Sequence, residues 1–387
     1  MRSRSGTLLR QAGYRTQAIG KWHLGDKSPY LPLDHGLNTT SEFPTPWTWP
    51  PAHLYRDNRI VDDLAGSKVE TVTERYTEEA IEFVRRTSKG NRAEPFFLYF
   101  SHTIPHPPLN LPPHARTPGR ALYDDAIEHM DQQTGLLLRA LDDAGVRDNT
   151  LVFFSSDNGP MAPGGQTGGC ADASATPTSG VRVPMIAAWP GRIPEGRVAD
   201  EPAIACDIFP TLARAAGTRM PDDRVYDGQD ITHVLTGQGE FARREPFFWV
   251  YLDRVTTIRD GKWKLHVASR EKTLEQPELY DVNADAASPA TWPRRIGGSQ
   301  TSGVDRRVSE RCAQRSGACN TRSGTRARFQ AASVANRSGY LVRRCTGTTN
   351  LSAVWVGEKL ATFTSTIPAP LPDAMTSLCV MARWPLG

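Results

Sequence analysis

Three places along the chain bring together side chains that could do chemistry. Asp157 and Asn158 close the run Leu151-Val-Phe-Phe-Ser-Ser-Asp-Asn-Gly159. A carboxylate and an amide oxygen side by side are hard donors that suit Ca²⁺ or Mg²⁺. Lys21 and His23 lie two apart in Gly20-Lys-Trp-His-Leu-Gly25, so in extended chain they point the same way. A cation beside an imidazole suits an anionic group. His106 sits between Pro105 and Pro107, which fix its backbone, shortly after an apolar run. Each place also has a plainer reading: an Asx-type turn at Asp157, a surface lysine beside a packed histidine, and a structural histidine in a Pro-rich loop.

The elements around them read as α/β. Leu151–Phe154 and Pro95–Phe100 are short apolar runs bounded by turn signals, the pattern of strands buried on both faces of a parallel sheet. Both deliver polar residues at their carboxyl ends, where open α/β sheets place ligands. Thr16–Gly20 is a third strand, after a helix ending at Gly13. Residues 26–60, rich in Pro, Trp and Asp, read as a long loop. The periodicity predicts helices over 72–86 and 123–144. Asp124, Asp125, Glu128 and Asp131 in the second read as a solvated first turn. A Gly/Ala/Thr-rich loop spans 159–180, followed by a strand over 182–188 and a helix over 208–216 with Asp207 as N-cap. Residues 255–267 read as a hairpin turning at Asp260-Gly261, and Glu278–Asp281 as a short strand, together a small antiparallel sheet.

The 387 residues carry a net charge of +4, unevenly spread. Residues 290–387 hold 14 Lys and Arg, 13 of them Arg, against 4 Asp and Glu, so the rest of the chain is acidic. Cys312, Cys319, Cys345 and Cys379 lie in that tail with no zinc spacing. Only Cys170 and Cys206 lie in the body, which suits a protein that does not depend on disulfides. No apolar run approaches the roughly 18 residues of a membrane span. The first residues, Met1-Arg-Ser-Arg-Ser-Gly-Thr7, show no signal peptide, which makes a cytoplasmic location the default expectation.

The order of these motifs resembles the sulfatase family, of the alkaline-phosphatase-like fold. Gly13-Tyr-Arg-Thr16 leads to Gly20-Lys-Trp-His-Leu-Gly25. Pro95-Phe-Phe-Leu-Tyr99, Pro105-His-Pro107, Ser156-Asp-Asn-Gly159 and Gly180-Val-Arg-Val-Pro184 follow. Asp207-Ile-Phe-Pro-Thr211, Arg259-Asp-Gly-Lys-Trp-Lys-Leu265 and Glu278-Leu-Tyr-Asp281 complete a series running from about residue 6 to about 286. The resemblance implies a central, largely parallel sheet flanked by helices, with a small carboxyl-terminal α+β domain. It implies that Lys21 and His23 contact the sulfate and the nucleophile. His106 would bind the sulfate or donate a proton to the leaving alcohol. Asp157 and Asn158 would be two ligands of a Ca²⁺ ion. The substrate class is a small-molecule or glycan sulfate ester, with no nucleic-acid or membrane partner; the sequence sets no oligomeric state. The family nucleophile is a formylglycine made from Cys or Ser in a Cys/Ser-x-Pro-Ser-Arg motif.

That motif is absent here: Cys206 precedes Asp-Ile-Phe-Pro and Cys170 precedes Ala-Asp-Ala. The twenty residues before Lys21 also lack the family's paired metal aspartates. Asp62-Asp63 looks like that pair but lies in a segment that matches a different part of the family. Ala173 stands where the family usually has a second sulfate-binding Lys, and Thr178-Ser-Gly180 where it has Glu-Gly-Gly. The expected organisation is therefore a partial catalytic domain over 1–220 lacking the nucleophile segment, a small subdomain over 221–286, and an Arg-rich tail over 287–387, disordered or read out of frame. The expected chemistry is a metal-dependent sulfate-ester hydrolase, inactive in this chain, with Ca²⁺ weak or lost. The alternatives are a non-catalytic anion-binding remnant or a related phosphoesterase, and, for the tail, a basic segment that binds nucleic acid or acidic surfaces nonspecifically. Loss of the family's first strand would leave unpaired sheet edges. Peptides of the tail found by mass spectrometry of the native protein would reject the out-of-frame reading.

Overall fold

The structure is a computed structural model. It describes residues 5–22, 25, 27–37, 39–43, 53–64, 66–89, 94–157, 183–239, 244, 246–251, 254–268 and 273–281, together with four short strands beyond residue 330.

Helix α1 (Ser5–Gln11) leads into β1 (Arg15–Lys21). Strands β2 (Thr39–Phe43), β3 (His53–Arg56) and β4 (Arg59–Asp63) follow, then α2 (Val72–Ser88) and β5 (Phe96–Ser101). Helix α3 (Leu122–Asp143) precedes β6 (Thr150–Ser156), and β7 (Met185–Ala188) and β8 (Val198–Ala199) precede α4 (Ile208–Ala215) and α5 (Thr232–Thr236). Strands β9 (Phe247–Tyr251), β10 (Arg254–Asp260), β11 (Trp263–Ala268) and β12 (Thr273–Asp281) form the small sheet. Residues 287–387 contribute β13 (Ser333–Val334), β14 (Tyr340–Leu341), β15 (Val354–Val356) and β16 (Ser377–Arg383).

The large sheet has ten strands in the order β4-β3-β2-β1-β5-β16-β6-β7-β15-β8. Strands β2, β1 and β5 are mutually parallel. β16 runs antiparallel to both β5 and β6, so β5 and β6 point the same way. All seven residues of β6 are buried. Alternation along β5 and β6 divides their side chains between two cores. Phe96, Leu98, Phe100, Val152 and Phe154 pack with Tyr76, Phe83 and Val84 of α2 and Leu137 and Leu141 of α3. Phe97, Leu151 and Phe153 pack on the other face with Leu9 of α1 and Ile208 and Leu212 of α4. Each such side chain contributes about 1.5–3 kcal/mol on burial, an upper estimate. The sheet is thus buried on both sides, as its apolar runs predict.

Three expectations change. Residues 26–60 are not simply a loop: they hold a 3₁₀ turn (Pro32–His35), β2, β3 and the start of β4. Asp57 and Asn58 make the β3–β4 turn at positive φ (49° and 64°), a conformation that short polar side chains tolerate. Asp125 is not solvated: it is 3% exposed, and its Oδ2 accepts the Thr117 N–H at 2.8 Å. Asp207 does not cap α4 with its side chain. Fully buried, it accepts the N–H groups of Ile204 (2.8 Å) and Gln229 (2.9 Å) and the Arg244 Nη2 (2.8 Å).

The small sheet runs β12-β11-β10-β9, antiparallel throughout. Its β10–β11 hairpin is where the Asp-Gly pair predicts it, but the turn residues are Gly261-Lys262, with Gly261 at φ 59°, because Asp260 still pairs with Trp263. Arg244 precedes β9, so its pairing with Asp207 ties this sheet to α4. Asp207→Ala would leave a partly buried guanidinium and two N–H groups without acceptors. It is expected to lower stability by about 3–5 kcal/mol in chemical denaturation.

Candidate active site

The site is assembled where β1, β5 and β6 end. Lys21 is the last residue of β1 and only 7% exposed. The chain reaches this position because residue 20 is glycine. Gly20 has φ 103°, and a Cβ there would stand 1.8 Å from the Ser101 carbonyl oxygen, the residue opposite it on β5. No other residue lets the two strand ends approach so closely. Trp22 continues into the second core. Its Nε1 donates to the Tyr30 carbonyl (3.0 Å), and its ring meets His35 and Tyr99 edge-on at 5.1 and 6.2 Å.

Asp157 follows β6 and is half-buried. Its charge reaches across the strand ends to two groups. Burial lowers the pKa of Lys21, and the Asp157 carboxylate works against that. The Tyr99 phenol is pushed up to about 12, by burial first and by Asp157 second. Lys21, Tyr99 and Asp157 therefore form one electrostatic group, of which Tyr99 had no sequence signal beyond its place in Pro95–Tyr99. Asp62, the superficial aspartate match, lies elsewhere, on the edge strand β4, with Lys68 at 2.8 Å and Arg75 at 2.9 Å.

His106 lies on the loop after β5, with its backbone N–H donating to the Thr103 carbonyl (3.3 Å). Its Nδ1 is 2.6 Å from the Pro107 carbonyl oxygen, which can only accept. Nδ1 must therefore carry the proton, leaving Nε2 as the nitrogen that can give or take one. Four residues earlier, His102 is a packed residue. It is fully buried, edge-on to Phe100 at 4.5 Å. Thr134 Oγ1 donates to the Met130 carbonyl (2.8 Å), so it accepts from His102 Nε2 (3.2 Å), and His102 Nδ1 has no hydrogen-bond partner among the described residues.

The structure thus brings Lys21 and Asp157 together and places His106 on the loop that leaves the intervening β5. His23 and Asn158 lie outside the described residues, as do Cys170, Ala173 and Thr178–Gly180. The described residues do not by themselves fit a metal ion: among them no three His, Cys, Asp or Glu side chains are grouped to hold one, and Asp157 already shares its charge with Lys21.

The α/β architecture, with its site at the carboxyl ends of the sheet strands, is that of the alkaline-phosphatase-like enzymes. The Sulfatase family matches residues 6–218, so the chain belongs to the sulfatase family. The carboxyl-terminal domain described as "N-sulphoglucosamine sulphohydrolase, C-terminal" matches residues 174–313. N-acetylgalactosamine-6-sulfatase of Canis lupus familiaris is 35% identical over 67% of this chain and 53% of its own length. The chain thus spans about half the length of that relative. Among solved structures, the PsFucS1 sulfatase from Pseudoalteromonas sp. superposes with a TM-score of 0.68 at 22% identity, over 83% of this chain and 74% of that one. Ps i-CgsB in complex with k-i-k-neocarrahexaose gives 0.61 at 23% identity, over 79% and 72%. Both share the fold.

Burial also sets a pH dependence. It holds the His102 and His266 pKa values down at about 3, well below the ordinary 6.5. Both are neutral in the folded chain, while the unfolded chain takes up their protons below pH 6.5. Their contribution is thus fully present above pH 6.5 and lost as pH falls towards 3, by about 1.4 kcal/mol per pH unit for each group. Denaturation midpoints measured from pH 7 to pH 5 should fall accordingly, and His102→Asn should reduce the slope.

Proposed function

We propose that this chain carries the sulfate-binding part of a sulfate-ester hydrolase that acts on sulfated sugars. One observation supports the reading: within the segment that matches the sulfatase family, Lys21 ends β1 and Asp157 follows β6 within electrostatic reach of it. The name of the canine relative and the oligosaccharide in the Ps i-CgsB complex support a carbohydrate substrate.

In this reading the Lys21 ammonium binds a sulfate oxygen. Desolvation strengthens that contact, because little water competes for it. His106 Nε2 faces the leaving side and protonates the departing alcohol oxygen. His23 adds a second contact to the sulfate. Ca²⁺, when bound, would neutralise sulfate oxygens as charge develops, with Asp157 and Asn158 among its ligands. Two residues supply only part of the about six to eight oxygens the ion takes, so binding by residues 1–387 is weak. No Cys/Ser-x-Pro-x-Arg motif occurs in residues 1–387. This polypeptide on its own therefore binds the anion and turns over little or no ester.

Purified residues 1–387 should bind inorganic sulfate in calorimetry, with affinity reduced roughly tenfold or more by Lys21→Ala. An aryl sulfate supplied with Ca²⁺ should show turnover near the uncatalysed rate, and an aryl phosphate should serve no better. Rapid metal-dependent release of sulfate would overturn the proposed inactivity. Sulfate binding indifferent to Lys21 would overturn the assigned site.

A further inference from the structure

Strand β16 has no part in the chemistry above, yet it occupies the centre of the sheet. Its seven residues register with β6 from Ser377 opposite Ser156 to Arg383 opposite Thr150. Six of them register with β5, from Leu378 opposite Ser101 to Arg383 opposite Phe96. Neighbouring strands lie about 4.8 Å apart, so β5 and β6 stand about 10 Å apart across β16. Without a strand there, both would present an unpaired row of N–H and C=O groups inside the sheet, a costly arrangement under buried faces.

The strand enters at the site. Leu378 is opposite Ser101, one residue before His102, and Ser377 is opposite Ser156, one residue before Asp157. The sequence supports an inserted strand. Leu378-Cys-Val-Met-Ala382 is an unbroken apolar run in a tail otherwise rich in Arg, Ser, Gly and Thr. Upstream, Val354–Val356 already pairs with β7 and β8 of the same sheet. That anchor keeps the effective concentration of the following segment high.

We propose that Ser377–Arg383 is a carboxyl-terminal clasp, a strand from the far end of the chain that closes the sheet between β5 and β6 and holds the two halves of the site in register. The Ser101–His106 half hangs on one side of it and Asp157 on the other. The inference rests on backbone pairing alone and stands apart from the sulfatase reading.

Amide hydrogen exchange on the full chain tests it without any activity. Amides of 378–382 should exchange as slowly as those of 151–155, and equally slowly on dilution. Exchange of 378–382 at the rate of an unstructured peptide, with 151–155 still protected, would overturn the clasp. Protection that disappears on dilution would also overturn it, pointing to a strand supplied by a second copy. Val380→Pro removes a donor from the middle of the strand. It should lower the unfolding midpoint by at least about 5 °C and speed exchange at 97–106 and 151–157. Val380→Ile, which keeps the donor, should do neither. A Val380→Pro chain as stable and as protected as the parent would reject the proposal; if that variant does not fold, exchange on the unaltered chain decides.

Discussion

The structure depends on two strands that do not touch. β5 and β6 carry most of the aromatic side chains of both cores, and their alternation sends Phe96, Phe100 and Phe154 to one face and Phe97 and Phe153 to the other. Both helical layers pack on this pair. Yet their backbones pair with β16 between them and not with each other. Side-chain burial is non-directional and tolerates small displacements, whereas a strand ladder fixes register in steps of one residue. The two cores therefore supply most of the stabilisation, and the ladder determines where the strand ends lie. Since the site is built on those ends, its geometry is inherited from backbone pairing.

Gly20 shows the same principle at the scale of one residue. Removing a single Cβ lets β1 close on the Ser101 carbonyl and brings Lys21 into a buried position. A lysine held there gives up hydration, and its lowered pKa records that loss. Asp157 offsets part of it. Tyr99, whose pKa is raised by burial first, feels the same carboxylate as a second cause. The three side chains come from two strands and the residue just after a third, distant in sequence, and only the sheet makes them neighbours.

Much of this was legible in the sequence because buried strands have a short vocabulary. Apolar runs ending in Ser-Asp or Ser-His located β6 and β5, and the Asp260-Gly261 pair located the β10–β11 hairpin. What escaped did so for physical reasons. β2 owes its strand form to pairing with β1, and residues 26–60 carry the Pro and Trp content of a loop. Asp125 looks solvated in a charged helix turn, but its burial comes from a contact with Thr117, before the helix. Asp207 sits at an N-cap position while its carboxylate serves Arg244, thirty-seven residues away. β16 lies in a tail whose composition reads as disordered or out of frame, and its place between β5 and β6 is a long-range pairing that no local pattern encodes.

Charge balance in the site sets a last constraint. Lys21 and Asp157 are of opposite sign, and the carboxylate is near enough to act on the Lys21 ammonium, so the pair is close to neutral. A sulfate group placed beside it gains from the ammonium and loses to the carboxylate. In a partly dry site neither effect is screened as it would be in water. Net attraction for the anion then requires either a further positive charge or an arrangement in which the anion meets Lys21 while Asp157 is engaged elsewhere. A histidine such as His106 supplies positive charge when protonated, and a carboxylate such as Asp157 is neutralised by any cation beside it. The carboxylate is thus not itself a sulfate-binding group. Its physical sense beside a buried lysine is to offset that charge, and whatever neutralises the carboxylate strengthens the pull of the Lys21 ammonium on an anion.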